Sequence, residues 1–356
     1  MDPHGTTHSQ GAPTATLNSI ARAVGVSRQT VSNVLNDPGR VAEPTLSRVR
    51  AEIDRVGYRP SAAARQLRTR RSRLLGFRMR TSRDGINGSI LDRLLHALTE
   101  RAHEHGYAIL VFAAADDAAE IAAYEDLRAT NSLDGFLLTS TNHGDQRSDW
   151  LREHGIPFVA FGRPWGRDDA ATTRDHDWID IDGGAGTEEA VHALHEEGAR
   201  RIGFIGWPEG SGAGDDRREG HRRACDALGL PTDLVERGED GFEGGAAAAR
   251  RLAARDVDAI VCVSDSMALG AVAQLRSAGH ADLLDRVVGF DDTPVARAVN
   301  LSSVDQPIEE AARRMVDLLV HRIERPRTAP SEDPTDLLPP LLHRRHPGLD
   351  PAATAP

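Results

Sequence analysis

Between residues 16 and 57 apolar positions recur at helical spacing in three short bursts. Leu17, Ile20, Ala21 and Val24 form the first stripe, with Thr16 placed to cap it. Gly25 supplies a turn, and Ser27 caps a second helix whose Val31, Val34 and Leu35 face inward. After the loop NDPGR, Pro44 opens a third helix with Leu46, Val49, Ile53 and Val56, which Gly57 ends. Three short helices, the first two joined by a tight glycine turn, predict a helix-turn-helix unit. From Leu74 the pattern changes to apolar runs alternating with amphipathic segments. Strands are expected at LLGFRM, YAILVFA, GFLLTS, PFVAFG, WIDID, RIGFIG, AIVCVS and RVVGF. Helices are expected near 89–105, 117–129, 185–197, 217–228, 244–254, 266–278 and 307–323. Continuous apolar strands alternating with helices imply parallel sheets covered on both faces, and so many strands imply two such units. Residues 1–15 lack periodicity and read as disordered, and 347–356 as a loose tail.

Composition changes this picture in one respect. The 356 residues carry a net charge of -11, which argues against nucleic acid until it is divided along the chain. From Thr16 to Arg73, 12 arginines oppose 4 acidic residues, a local excess of +8 that leaves -19 on the remainder. A basic head on an acidic body is the footprint of a DNA-binding module joined to something else. There is no lysine, so arginine makes every basic contact. No apolar run approaches membrane-spanning length, and the start lacks a basic-then-apolar leader, so a soluble cytoplasmic protein without membrane association is expected. Cys225 and Cys262 are too few for a disulfide framework or a zinc site and read as small buried residues.

The second helix leaves Arg28, Gln29, Thr30, Ser32 and Asn33 to solvent. Arginine pairs bidentately with guanine, and Gln or Asn with adenine, in the major groove. Hydroxyls suit phosphate oxygens and fix the register. A polar helix face is the ordinary explanation of such a row, but the arginine excess and the three-helix frame favour DNA reading.

The stretch TLNSIARAVGVSRQTVSNVLN, followed by a third helix and GYRPSAAARQLRTRRS, resembles the lactose-repressor (LacI/GalR) family of transcription factors. The resemblance continues in order through IPFVAFGR, IDIDGGAGTEEAVHALHEEGARRIGFIG, DDRREGHRRA, VSDSMALGAV, VVGFDD and LSSVDQP. It implies base reading by Arg28, Gln29 and Asn33, and backbone contacts by Thr16, Ser27, Thr30, Ser32 and Asn36. PSAAARQL alone reads as an alanine-rich linker; the resemblance makes it a hinge helix that folds on the operator minor groove. Leu67 is then the wedge at the central base step, Ala64 lets two hinge helices approach, and Tyr58 belongs to the same DNA-binding set.

The family likeness also implies a two-lobed, periplasmic-binding-protein-like body with parallel sheets, whose lobes exchange strands and clasp a small effector. Arg217 is the matching effector-gripping arginine, Asp291 the acceptor of effector hydroxyls, and Ser264 a further cleft residue. Trp178 occupies a commonly aromatic position suited to a pyranose face, Phe242 offers a second wall, and Arg163, Asp84 and Asn87 align with cleft-edge loops. Trp165 and Trp207 read equally as interface or packing residues. RIGFIGWPEGSGAGDD lacks both the phosphate-loop ending and the dinucleotide glycine spacing. Scattered histidines form no metal set and no nucleophile elbow is present, so neither enzyme chemistry nor a cofactor is expected.

The expected layout is a helix-turn-helix domain at 16–59, a hinge at 60–73, and an effector-binding and dimerisation body at 74–346. Within the body, the first lobe spans about 74–176 and 306–335, and the second about 177–305 and 336–346. The reading is a repressor that binds a palindromic double-stranded operator as a homodimer and is released by a sugar or oligosaccharide. An effector-activated or corepressor-dependent regulator shares every motif. A sugar-binding transport protein would share only the body.

Overall fold

The computed structural model describes residues 15–58, 71–79, 88–131, 133–165, 176–325 and 335–345. It divides into two compact units, Met1–Arg71 and Ser72–Pro356.

The first unit is the three-helix head. Helix α1 (Leu17–Val24) starts in a capping box: the Thr16 hydroxyl accepts from the Ser19 backbone while Ser19 returns a bond to the Thr16 backbone. Gly25 ends it at φ 73°, a left-handed conformation that glycine adopts without steric cost. Ser27 caps α2 (Arg28–Asn36) by accepting from Thr30 N at 3.0 Å. Helix α3 (Glu43–Val56) carries Pro44 in its first turn and closes at Gly57. Ile20, Ala21, Val31, Val34, Leu46 and Val49 form the head's core. Leu35, expected inward, is only half-buried and lies outside that core. The short loop between α2 and α3 contains one 3-10 turn, Pro38–Arg40.

The second unit holds two six-stranded sheets. The first alternates β1 (Leu74–Met79), α4 (Gly88–Glu104), β2 (Ala108–Ala113), α5 (Asp117–Asn131), β3 (Gly135–Leu138), α6 (Gln146–Glu153), β4 (Phe158–Phe161) and β5 (Asp177–Ile181). The chain then builds α7 (Gly183–Glu196), β6 (Ile202–Gly206), α8 (Gly212–Leu228), β7 (Val235–Arg237), α9 (Phe242–Ala253) and β8 (Ala259–Cys262). It continues through α10 (Asp265–Ser277), β9 (Val287–Phe290), α11 (Pro294–Ala298) and β10 (Ser302–Asp305). Helix α12 (Ile308–Glu324), β11 (Thr335–Leu338) and β12 (Leu341–His343) complete the fold.

The first sheet runs β11-β5-β4-β3-β1-β2, all parallel. The second runs β12-β10-β9-β8-β6-β7, parallel except for β12 against β10. Chain order therefore crosses between lobes after β5, after β10 and after β11. Helix α12 returns to the first lobe and packs on α4, β3, β4 and β5, burying Ile308, Met315 and Leu319. Each lobe has its own core, because a sheet with apolar faces must be covered on both sides.

Three expectations change. WIDID is β5 of the first sheet, and β11 pairs with it, so the first crossing follows Ile181 instead of residue 176 and the last follows Leu338 instead of residue 335; an apolar run identifies a strand but not its sheet. The helix expected at 217 begins at Gly212, because the Ser211 hydroxyl caps Gly214 N and the glycines SGAG form its first turn. Helices α6 and α11 and strands β7, β10, β11 and β12 were not expected: α11, β7 and β12 are very short, and α6 (QRSDWLRE), β10 (SSVD) and β11 (TDLL) lack the continuous apolar run or stripe that marks the others. The tail at 347–356 and most of the 1–15 arm fall outside the described residues, as do residues 60–70 of the hinge expected at 60–73. Among the described residues no helix is long and apolar enough to cross a membrane.

Candidate functional site

The head presents α2 with Arg28, Gln29 and Asn36 exposed, and Ser32 and Asn33 half-buried at the helix edge. Gln29 Nε2 donates to Asn33 Oδ1 at 2.9 Å, so the two amides form one i,i+4 pair. Pairing fixes both side chains on one face before any base is met. Asn36 Nδ2 donates to Ser32 O at 2.7 Å, and the Ser27 and Thr30 hydroxyls bond each other at 2.9 Å. Tyr58 packs half-buried against the head's core. Ala64 and Leu67 lie outside the described residues.

In the body, a cavity of about 970 Å³ opens between the carboxyl ends of the two sheets, where parallel strands present ligand-binding groups. Arg217 and Asp291 share its second-lobe wall, with Arg217 Nη1 3.9 Å from Asp291 Oδ1. Arg217 Nη1 also donates to the Val263 carbonyl at 2.5 Å, and its guanidinium lies 3.6 Å from the Phe290 ring centre. Burial works against its charge, while Asp291, Asp216, Asp180 and Asp240 favour it; burial prevails and lowers its pKa.

Asp291 leaves β9 at φ 112° and Asp292 follows at φ 46°, two consecutive non-glycine residues in positive φ. Such geometry costs of order 1–3 kcal/mol and recurs at functional sites. It bends the chain so that Asp291 faces the cavity, where it accepts from Gln306 Nε2 at 2.6 Å. Burial drives its pKa well above the usual carboxylate range against the pull of Arg217. Ser264, expected as a cleft residue, does not itself line the cavity: it is buried, caps α10 and donates to Asp240 Oδ1 at 2.7 Å, and Asp240 lines the cavity.

The first lobe contributes Asp180, Thr141, Asn142 and Asp117 to the opposite side. Arg163 stands behind this wall and donates through Nε to Asp180 Oδ2 at 2.7 Å. Burial opposes charge on Arg163, but Asp180 and Asp216 outweigh it and raise its pKa. Asn142 Nδ2 donates to Asp117 Oδ2 at 2.8 Å. Below them, Arg147 is buried between Asp145 (2.6 Å) and Glu120 (2.7 Å), a network that also takes in Arg78 at the cavity floor.

Trp178 is not a cleft wall. It is 7% exposed and packs with Tyr124 and Phe136 in the first-lobe core. Side chains two apart on a strand share a face, so Asp180 lies on the Trp178 side but one step nearer the carboxyl end, and it reaches the cavity. Phe242 starts α9, is 43% exposed and does not line the cavity. Asp84 and Asn87 fall outside the described residues. The indoles at the cavity are Trp165 and Trp207, which the sequence left open as interface or packing residues. Their position in loops directly after β4 and β6 was the available signal.

A helix-turn-helix head joined to a two-sheet body with a cleft at its strand ends defines a ligand-responsive DNA-binding regulator. Residues 16–61 match the model of bacterial regulatory proteins of the lacI family, and 191–346 that of the periplasmic binding protein-like domain. The transcriptional regulator CelR of Thermobifida fusca is 35% identical over 327 residues, covering 88% of this chain and 94% of CelR. The ribose operon repressor of Escherichia coli is 29% identical over 320 residues, covering 88% and 94%. A solved CelR–cellobiose complex superposes with a TM-score of 0.70 at 31% identity, covering 94% of this chain and all of that one. The lac repressor dimer on its operator, 22% identical, shares the fold with a TM-score of 0.79 over 94% of this chain and 99% of that one. The chain belongs to the LacI family of bacterial regulatory proteins. It is a DNA-binding transcriptional regulator.

Proposed function

We propose that this regulator is a cytoplasmic repressor that holds a near-palindromic operator as a homodimer and is released by a sugar, glycoside or short oligosaccharide in the cleft. Arg28, Gln29 and Asn33 read bases, and Thr16, Ser27, Thr30, Ser32 and Asn36 contact the backbone. Dimeric heads of this kind meet two half-sites related by a two-fold axis.

The observation that carries the effector class is the cavity wall itself. Arg217 and Asp291 offer a donor and an acceptor to ring hydroxyls, while Trp207 supplies apolar surface beside them. About 970 Å³ lies at the upper end of small-molecule sites, which run roughly 300–1,000 Å³, and accommodates a disaccharide. The CelR–cellobiose complex supports the same class for this chain. Release is a population shift and requires the sugar to prefer the DNA-free arrangement of the lobes.

The test is a thermal-shift screen of mono- and disaccharides that includes cellobiose, followed by gel shift on the operator with each binder. A sugar that raises the melting temperature and frees DNA supports the proposal. A sugar that tightens DNA binding makes the protein corepressor-dependent, and a shift by purines or amino acids alone removes the sugar.

A further inference from the structure

Helix α8 opens with Gly212, Ala213, Gly214, Asp215 and Asp216 before Arg217, and three contacts from the first lobe end on this one turn. The Trp165 indole, in the loop after β4, lies directly on Gly212: a Cβ there would stand 2.2 Å from the ring's Cγ and Cδ1. Arg163 Nη2 reaches Asp216 Oδ2 at 3.3 Å. His143 Nε2 stands 3.5 Å from Asp215 Oδ2. Trp165 is held in place from its own lobe, since Nε1 donates to Thr141 Oγ1 at 3.0 Å and the Arg163 guanidinium lies 4.6 Å from its ring centre.

Gly212 is not among the residues with positive φ, so its backbone does not require glycine. At the first position of a helix alanine is the better helix former. What excludes a side chain here is the indole of the other lobe. We propose that the first turn of α8 is an interlobe latch, with Trp165 seated on Gly212 and setting how readily the cleft opens. Interfaces with one tight packing solution are two-state instead of continuously deformable, which makes such a seat a switch. The turn also carries Arg217, bonded to Val263 and facing Asp291, so a ligand that draws on Arg217 acts on the same backbone as the seat. The latch goes beyond the proposed effector and does not depend on its identity.

The test measures lobe separation in the full chain without any ligand. Cys225 and Cys262 are buried, so spin labels go on Glu125→Cys of α5 and Ala247→Cys of α9, both exposed, for double electron–electron resonance. Gly212→Ala should lengthen the interlobe distance by several ångströms while leaving the helical signal and melting temperature at or above the parent values. Trp165→Ala should lengthen it as well. Adding Gly212→Ala to Trp165→Ala should change nothing more, because the new methyl has no ring to meet. An unchanged distance in Gly212→Ala, or a double variant that opens by the sum of the two, overturns the latch.

Discussion

Arg217 of α8 and Asp291 at the end of β9 face each other at 3.9 Å in the cavity wall, each held by its own second bond, to Val263 O and from Gln306 Nε2. The pair is loose enough to admit a hydroxyl that donates to the carboxylate and accepts from the guanidinium. Asp291→Asn keeps the shape and tolerates positive φ but turns one oxygen acceptor into an NH2 donor, since Gln306 keeps the remaining oxygen. Effector affinity should fall roughly 10–100-fold, the cost of leaving a buried hydroxyl donor without its acceptor, with operator binding intact. Calorimetry with the sugar found by the screen checks it; unchanged affinity removes Asp291 from the site.

The amide pair on α2 leads to the DNA prediction. With Gln29 and Asn33 tied together, Arg28 is the exposed arginine at the start of the helix. Arg28→Ala should weaken specific operator binding by about 1–3 kcal/mol if it reads a guanine bidentately. Titrations on operator and random DNA at fixed salt check this; equal losses on both would make Arg28 a phosphate contact.

Trp178 separates the sequence expectation from the structure. Packed against Tyr124 and Phe136, it should act on stability alone. Trp178→Phe should lower unfolding free energy by roughly 0.5–3 kcal/mol and leave effector affinity of the folded protein unchanged. Urea denaturation and calorimetry together decide it, and a lost affinity at unchanged stability would return Trp178 to the cleft.

Asp265 gives the pH dependence. It accepts from Thr293 N at 2.7 Å and Ser303 Oγ at 2.6 Å, yet burial pushes its pKa up to about 6. A carboxyl whose folded pKa exceeds its unfolded one contributes stability fully below the unfolded value of 3.8, and loses it as pH rises through about 6. Asp291 is raised in the same direction, by burial and by Asp265 itself, so the two carboxyls share this window. Urea unfolding should therefore show a declining component across that window, which Asp265→Asn flattens. An equally steep decline in the variant assigns it elsewhere.

Much of this protein is local, and what is local is legible in sequence. The Thr16 and Ser27 caps, the Gly25 and Gly57 stops and the Val31 and Val34 inward face are set by neighbours within one or two helical turns. The long strands and helices of the body were equally readable from their apolar runs. The family resemblance added Arg217 and Asp291, which the fold brings to one wall. The sheet to which WIDID belongs depends on strands pairing across the chain, with Ala160 and Thr335 beside Trp178, and no periodicity records that. For the same reason the sequence misassigned the aromatic wall. Whether Trp178 or Trp165 meets the cavity depends on which end of a strand the lobes enclose. Only the tertiary structure also shows why SGAG is glycine-rich: Gly212 is small because an indole from another lobe occupies the space its side chain would need.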